Sequence, residues 1–343
     1  MVNRPFLFLF FSSCFAVLWP DAFVRPAFAQ EASGEHAAPT ERDEPESAGV
    51  RKALILVGLP GDAEHRELFA QVTAKWKKWL TAELQFAEEN VIVLEGRSES
   101  VLPNHAAGTR DGLKQRAGRL VEQSRPEDGL WVFFIGHANY DEEHVYFHLP
   151  GPDIHEGEVA EMFEALGCRE QVFWLTNTCS GWFLKSLSKQ GRIVITASAA
   201  DREFNETEFP AALADVAQLP LESLDKDEDG RTSVAELFAK TVEQVEGIFK
   251  ADERAPTEHA QLDDNGDGAG TEAKDLQLKE PPPGEEGAPP PVARRVKLPD
   301  GKLSAATFLR RNPPLIKKDD SDAKEDQQSS ADPLPQATNQ EPR

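Results

Sequence analysis

The sequence predicts an α/β fold in three layers, with helices on both faces of a mainly parallel β-sheet, and three observations carry that expectation. Residues 52–58, 90–94, 130–135, 172–175 and 192–197 are short runs dominated by Val, Ile, Leu and aromatic residues, with no polar alternation. Such runs suit strands buried on both faces of a sheet. Between them lie apolar residues at helical spacing: Leu68, Val72, Trp76, Trp79, Leu80 and Leu84, then residues 113–121, then Val159, Met162, Phe163 and Leu166. Strand and helix in alternation make crossovers, and crossovers make parallel strands. Residues 51–220 are also long enough to hold one full core.

Taken in order, the chain opens with an export signal over residues 1–29. Arg4 supplies the positive end, residues 6–18 the apolar stretch and Ala27-Phe28-Ala29 the small-residue cleavage site before Gln30. An uncleaved anchor and lipid attachment at Cys14 are the alternatives. No later segment has the length of a membrane span, so the mature chain is expected to be exported, periplasmic or extracellular, with no span once the signal is removed. Residues 30–50 are small, acidic and free of aromatics, the composition of a disordered linker. The first strand ends at Gly58, and the loop after it carries His65 and Arg66. A helix is expected over residues 68–86, a second strand from Asn90 and a second helix over 113–121.

The strand at 130–135 delivers Gly136-His137-Ala138, and the strand at 172–175 delivers Asn177-Thr178-Cys179-Ser180-Gly181. One crossover with a helix at 155–166 joins them, so both exits fall on the edge of the sheet where α/β proteins bind ligands. A thiol is a nucleophile as thiolate, and a neighbouring imidazole lowers its pKa or takes its proton. A helix starting near Ser180 would favour thiolate further. The main-chain N–H groups of Ala138 and Cys179 are candidates to receive an oxyanion. Taken singly, a cysteine is most often a small buried hydrophobe and a histidine at a strand end a hydrogen-bonded loop residue.

A hydrophobic strand ending in a histidine, then a second ending in cysteine with Ser-Gly after it, resembles the legumain- and caspase-type cysteine peptidases of clan CD. The segments LPGPDI, GRIVITASAADREFNETEFP and LDDNGDG suggest similarity to exported bacterial relatives of that group. The resemblance covers roughly residues 52–271. It implies a caspase-like sandwich, with His137 as general base or imidazolium partner and Cys179 as nucleophile. It also implies that basic residues on the same edge, Arg66 and Arg202, line a pocket for an acidic or amide side chain. Three positions depart from the pattern: Ala138 replaces Gly, Asn177 replaces an acidic residue, and Cys179-Ser180-Gly181 is one residue tighter than Cys-x-Ser-Gly. Two readings therefore stay open, an exported cysteine endopeptidase acting on a protein or peptide substrate, and an inactive member of the fold that binds calcium or a protein.

The net charge is −23, about −24 once residues 1–29, which carry net +1, are set aside. So acidic a chain argues against nucleic acid and anionic membrane surfaces as partners. Three cysteines are too few for a disulfide scaffold. Cys168 reads as a bystander, with a Cys168–Cys179 disulfide as the alternative.

Residues 221–275 form an EF-hand-like region. Asp225, Asp227 and Asp229 alternate before Gly230, and Arg231, Ser233 and Glu236 complete the ligand positions of a twelve-residue calcium loop. Residues 237–248 make an exit helix, while Pro220 shortens any entry helix. A solvated acidic turn is the competing explanation. A second loop, Asp263-x-Asn265-x-Asp267-Gly268, ends in Lys274 instead of an acid. From residue 276 to 343 proline, glycine and charge predominate, which reads as a flexible tail, with local order over residues 296–309 left open.

Overall fold

The computed structural model describes residues 49–96, 105–276 and 299–310. The expected signal, nearly all of the acidic linker and most of the proline-rich tail lie outside these residues. Strands β1 (Arg51–Val57), β2 (Val91–Glu95), β3 (His105–Ala107) and β4 (Gly129–Ile135) come first. A small meander follows, of β5 (Ala138–Tyr140), β6 (Val145–Phe147) and β7 (Ile154–His155). β8 (Glu170–Leu175), β9 (Arg192–Thr196), β10 (Gln261–Asp263) and β11 (Thr271–Glu272) complete the strands. The main sheet runs β11-β10-β9-β8-β4-β1-β2-β3, and the meander is a sheet of its own. Neighbours from β3 to β9 pair parallel, whereas β10 and β11 pair antiparallel.

Helices cover both faces, so the chain is a three-layer α/β sandwich. They are α1 (Ala63–Lys78), α2 (Arg110–Glu122), α3 (Glu156–Met162), α4 (Gly181–Leu187), α5 (Phe209–Val216), α6 (Val234–Ala251) and α7 (Lys302–Ala306). The two-residue period of a strand divides the core. From β4, Trp131, Phe133 and Ile135 join Trp76 of α1, Phe209 of α5 and Phe238 of α6, while Leu130, Val132 and Phe134 join Leu113 of α2, Val159 of α3 and Phe183 of α4. Burying each such side chain contributes about 1.5–3 kcal/mol, which is why these strands show no polar alternation.

Several boundaries differ from the sequence expectation, each for a local reason. α1 starts at Ala63, well before residue 68, because the Asp62 carboxylate caps it by accepting the His65 N–H at 2.9 Å. The helix does not run to residue 86. It widens into a π-helical turn at Trp79–Glu83, after which Gln85 takes φ 60° and the chain turns back with Leu84 and Phe86 buried. The meander, with strands of two or three residues, is too short for periodicity to reveal.

The described residues beyond 220 are not a separate body. β10 and β11 extend the main sheet, and Leu237 and Phe238 of α6 share the core of β4. The 299–310 segment is also held in place. Arg51 donates to the carbonyls of Phe308 and Leu309, and the buried Asp264 carboxylate accepts from Gly301 N, Ser304 N and Ser304 Oγ at 2.6–3.0 Å. Among the described residues, no helix is long and apolar enough to cross a membrane.

Candidate functional site

The strand order turns at β1 and β4: β2 and β3 lie outward on one side, β8 and β9 on the other. Such a switch point leaves a crevice at the carboxyl ends of the strands. Pro60 follows β1 there and His137 follows β4, with the His137 Nε2 at 3.2 Å from the Pro60 carbonyl. A carbonyl only accepts, so Nε2 is the donor in this contact. Nδ1 faces Glu206 at 3.8 Å, and the His65 ring stands edge-on at 4.7 Å. His65 in turn bridges Asp62 (Nδ1 to Oδ2, 2.9 Å) and Glu206 (Nε2 to Oε2, 2.7 Å). The Glu206 carboxylate, then Asp62, raises the His65 pKa above its ordinary value, with burial opposing weakly.

Cys179 follows the neighbouring strand β8, and its surroundings are of another kind. The residue is 1% exposed and its backbone takes φ 54°, the left-handed region that a non-glycine residue rarely adopts. Its Sγ donates to the Ala138 carbonyl at 3.7 Å. Among the described residues no hydrogen bond joins this thiol to His137. Burial pushes the thiol pKa up, with only the Tyr140 main chain working the other way. The sequence expectation of a thiol lowered by His137 and a helix start is therefore not met in this geometry. The imidazole faces Pro60 and Glu206, and α4 has only seven residues.

The expected oxyanion donor at Ala138 is also corrected, because its N–H is committed to Thr178 Oγ1 at 2.7 Å. Ser180 and Gly181 have clear structural tasks. Ser180 Oγ accepts from Ala197 N and Ser198 N, and a Cβ on Gly181 would lie 2.2 Å from the Ala199 carbonyl carbon. The Ser-Gly pair thus seats the exit of β8 against the exit of β9. Both cysteines are free, so no Cys168–Cys179 disulfide forms.

A cleft of about 190 Å³ opens beside the thiol, lined by Ala138, Asn139, Tyr140, Cys179 and Phe204. Tyr140 stacks on Trp182 at 3.9 Å, and Phe204 stands 52% exposed. Phe204, Arg202 and Glu206 share the loop after β9. Glu203 anchors that loop by accepting from Ala199 N and His259 N and pairing with His259 Nδ1. Arg202 is exposed on this loop. Arg66, also exposed, lines a different cleft with Val57, Gly58, Pro60, Phe69, Glu95 and Gly96, so the two arginines do not share one pocket. Sequence reasoning missed Asp62, Thr178, Glu203 and Glu206. Only Asp62 carried a local signal, an acid one residue before a helical pattern.

The acidic loop after Leu224 has the shape expected of a cation site. Glu228 and Gly230 take φ 61° and 83°, and Asp225, Asp227 and Glu236 bring carboxylate oxygens within 4.8 Å of one another. Burial and then the charges of Glu236, Asp229 and Asp225 raise the Asp227 pKa. Glu236 accepts from Lys226 N, Asp227 N and Ser233 N, the last as part of a capping box with Ser233 that starts α6. All-oxygen donors in this arrangement fit a hard cation. Opposite the loop, Thr232 and Val234 pair main chain to main chain with Thr307 and Leu309. No comparable entry helix precedes it, only a 3-10 turn at Leu221–Ser223.

No protein-family model matches the chain, and no curated protein matches it. Among solved structures, it is similar to protein GSU0716 from Geobacter sulfurreducens at 12% identity and a TM-score of 0.40, over 62% of this chain and 92% of that one.

Proposed function

We propose that the chain is an exported cysteine endopeptidase-like hydrolase, with Cys179 as nucleophile, His137 as its base and a protein or peptide as substrate. The observation that carries this reading is the left-handed backbone at Cys179, φ 54°, at the end of β8 beside the strand that ends in His137. Strained residues of this kind persist only where their surroundings over-determine them, and they cluster at active sites. In the reaction, Sγ gives its proton to His137 and bonds to the substrate carbonyl carbon. The amine then leaves with that proton, and water releases the acyl group from sulfur. Because the resting imidazole faces Glu206 and Pro60, substrate binding has to turn it toward Sγ. Phe204 and Tyr140 offer an apolar wall, and Arg202 on the same loop is the basic residue for an acidic or amide side chain. Peptide probes bearing a thiol-reactive group should label the wild-type protein at Cys179, give no labelling in Cys179→Ala, and label His137→Ala at least ~100-fold more slowly, within the scale expected for loss of general-base catalysis. Unchanged labelling of His137→Ala would reject the dyad.

A second reading is favoured by the burial of the thiol and its raised pKa: a non-catalytic member of the fold that binds calcium or a protein. Calcium at Asp225, Asp227, Asp229, the Arg231 carbonyl, Ser233 and Glu236 is compatible with either reading. Binding to the folded state alone stabilises by about 2.7 kcal/mol at a hundredfold excess over Kd. Exported modules often bind at about 0.1–1 mM, so the melting temperature should rise at millimolar calcium in the wild type and not in Glu236→Gln. Equal melting temperatures with calcium and with chelator would leave the loop as an acidic turn.

A further inference from the structure

The two histidines at the switch point are both oriented by fixed hydrogen bonds. Each has its outer nitrogen fixed by an acceptor on the loop after β1: His65 Nδ1 by the Asp62 carboxylate at 2.9 Å, and His137 Nε2 by the Pro60 carbonyl at 3.2 Å. Histidines that bind metals show this feature, because the outer hydrogen bond fixes ring orientation and points the other nitrogen at the ion. The inner nitrogens, His65 Nε2 and His137 Nδ1, both face the Glu206 carboxylate, at 2.7 and 3.8 Å, and all three ligand atoms lie within 4.8 Å of one another. Bonds of about 2.0–2.2 Å from a tetrahedral ion place its ligands about 3.3 Å apart; the 2.7 Å contact ends on Glu206 Oε2 and the 3.8 Å contact on Oε1, so each carboxylate oxygen faces one imidazole. Glu206 is on an exposed loop and has room for the small adjustment.

We propose that His65, His137 and Glu206 form a binding site for a divalent transition-metal ion of the zinc class, with Asp62 and Pro60 as outer partners. Two imidazoles and one carboxylate select such an ion over calcium or magnesium, which prefer oxygen donors. Three protein ligands leave a fourth position open at the sheet edge, the pattern of a reactive site and not of a structural one. The inference does not rest on the thiol reading, although the two share His137: an ion on Nδ1 occupies the lone pair that would accept the thiol proton.

The other histidine cluster fits less well. There the His155 Nδ1 lone pair already accepts from Gly157 N at 3.2 Å, which commits one of the two imidazoles to the main chain.

The test titrates zinc chloride into the purified, untagged chain against a chromophoric chelator, with millimolar calcium present to occupy the carboxylate loops. Cobalt(II) serves as a spectroscopic stand-in. The expected result is one tight equivalent, with visible absorption of a four-coordinate cobalt site. Affinity should fall at least tenfold in His65→Ala and in Glu206→Gln, and stay unchanged in Cys179→Ala. Asp62→Ala should weaken binding by about 10–100-fold, the usual effect of removing an outer partner. Glu206 is exposed, so Glu206→Gln tests the site without disturbing the core, and the circular dichroism of each variant checks folding. Equal zinc affinity in wild type, His65→Ala and Glu206→Gln would overturn the proposal. So would loss of binding in His144→Ala with His65→Ala unaffected. Loss of probe labelling at Cys179 with zinc binding intact would sink the thiol reading alone.

Discussion

The exits of β8 and of β1 and β4 are neighbours built on opposite plans. From Thr176 to Gly181 the chain is buried, and its polar groups other than Asn177 Oδ1 are tied internally. Thr176 Oγ1 donates to the Phe134 carbonyl, Thr178 Oγ1 engages both N and O of Ala138, and Ser180 Oγ accepts two main-chain N–H groups. The Asp62, His65, His137 and Glu206 set is half-exposed, and its charged groups pair with one another at the surface. The first plan is that of a core, where one lost atom disturbs everything around it. The second is that of a surface site, where substitution is cheap and ligands have access. The cysteine is held by packing, the histidine pair by hydrogen bonds and by the charge of Glu206 and Asp62.

The largest effect should come from the packed side. A methyl group on Gly181 meets Ala199 C and Ala200 N at 2.2 and 2.3 Å, and both are main-chain atoms that have no rotamer to yield. Overpacking of this kind costs typically 1–3 kcal/mol and sometimes more, so Gly181→Ala should lose about 3 kcal/mol in urea unfolding. Wild-type stability for this variant would mean that the exits of β8 and β9 are looser than the comparison holds.

The footing of the loop that carries Glu206 gives the next effect. Glu258 is 5% exposed, and its Oε1 accepts from Glu208 N while Oε2 has no hydrogen-bond partner among the described residues. Burial, with the charges of Glu208 and Glu203 adding, pushes its pKa up to about 8 from 4.5. An acid with a raised folded pKa is neutral at no cost below its unfolded value. Stability then falls as pH rises from about 4.5 toward about 8. Glu258→Gln keeps the acceptor for Glu208 N and removes the charge, at the cost of an unpaired amide. It should therefore be near neutral at pH 5 and more stable than wild type by about 1–3 kcal/mol at pH 8. A pH-independent difference between the two proteins would reject this account.

What the sequence revealed follows the same division. The strands 52–58, 130–135, 172–175 and 192–197 were legible because burial on both faces forces an unbroken apolar run, and the edge carrying His137 and Cys179 follows from their connection. The partners of those residues were not legible. Glu206 lies 69 residues after His137, and Asp62 lies 75 before it, so only the sheet order brings them together. The commitment of Ala138 N to Thr178 was hidden for the same reason. β10 and β11 were missed because two- and three-residue strands carry no period, although Leu262 of β10 belongs to the sheet core. Gly181 was read as part of a catalytic motif, while its contact with Ala199 gives it a packing role as well.

The thiol offers a smaller, kinetic test. With Cys179 1% exposed and its pKa raised by burial, a small alkylating reagent at pH 8 should react more slowly with the folded protein than with the chain in urea. His137→Ala should leave that slow rate unchanged, because the resting imidazole does not reach Sγ. Peptide-directed probes, in contrast, should depend on His137. A folded thiol that reacts faster than the unfolded one would place an activating group near Cys179 that this geometry lacks.

The smallest effect belongs to the open side. Asp62 accepts the His65 N–H as the cap of α1, and its other oxygen reaches His65 Nδ1. Removing a cap costs about 1 kcal/mol, and an exposed ion pair adds at most about 1 kcal/mol. Asp62→Ala should therefore destabilise by about 1–1.5 kcal/mol, a third to a half of the effect of Gly181→Ala. Asp62→Asn retains a capping oxygen and removes only the charge. It should recover most of the loss, so the pair of variants separates the cap from the electrostatic contact. If Asp62→Ala cost as much as Gly181→Ala, the histidine side would have to be counted as part of the packed framework. If Asp62→Asn recovered nothing, the charge on Asp62 would matter more to folding than the cap does, and the open side would be held by its electrostatics even without a ligand.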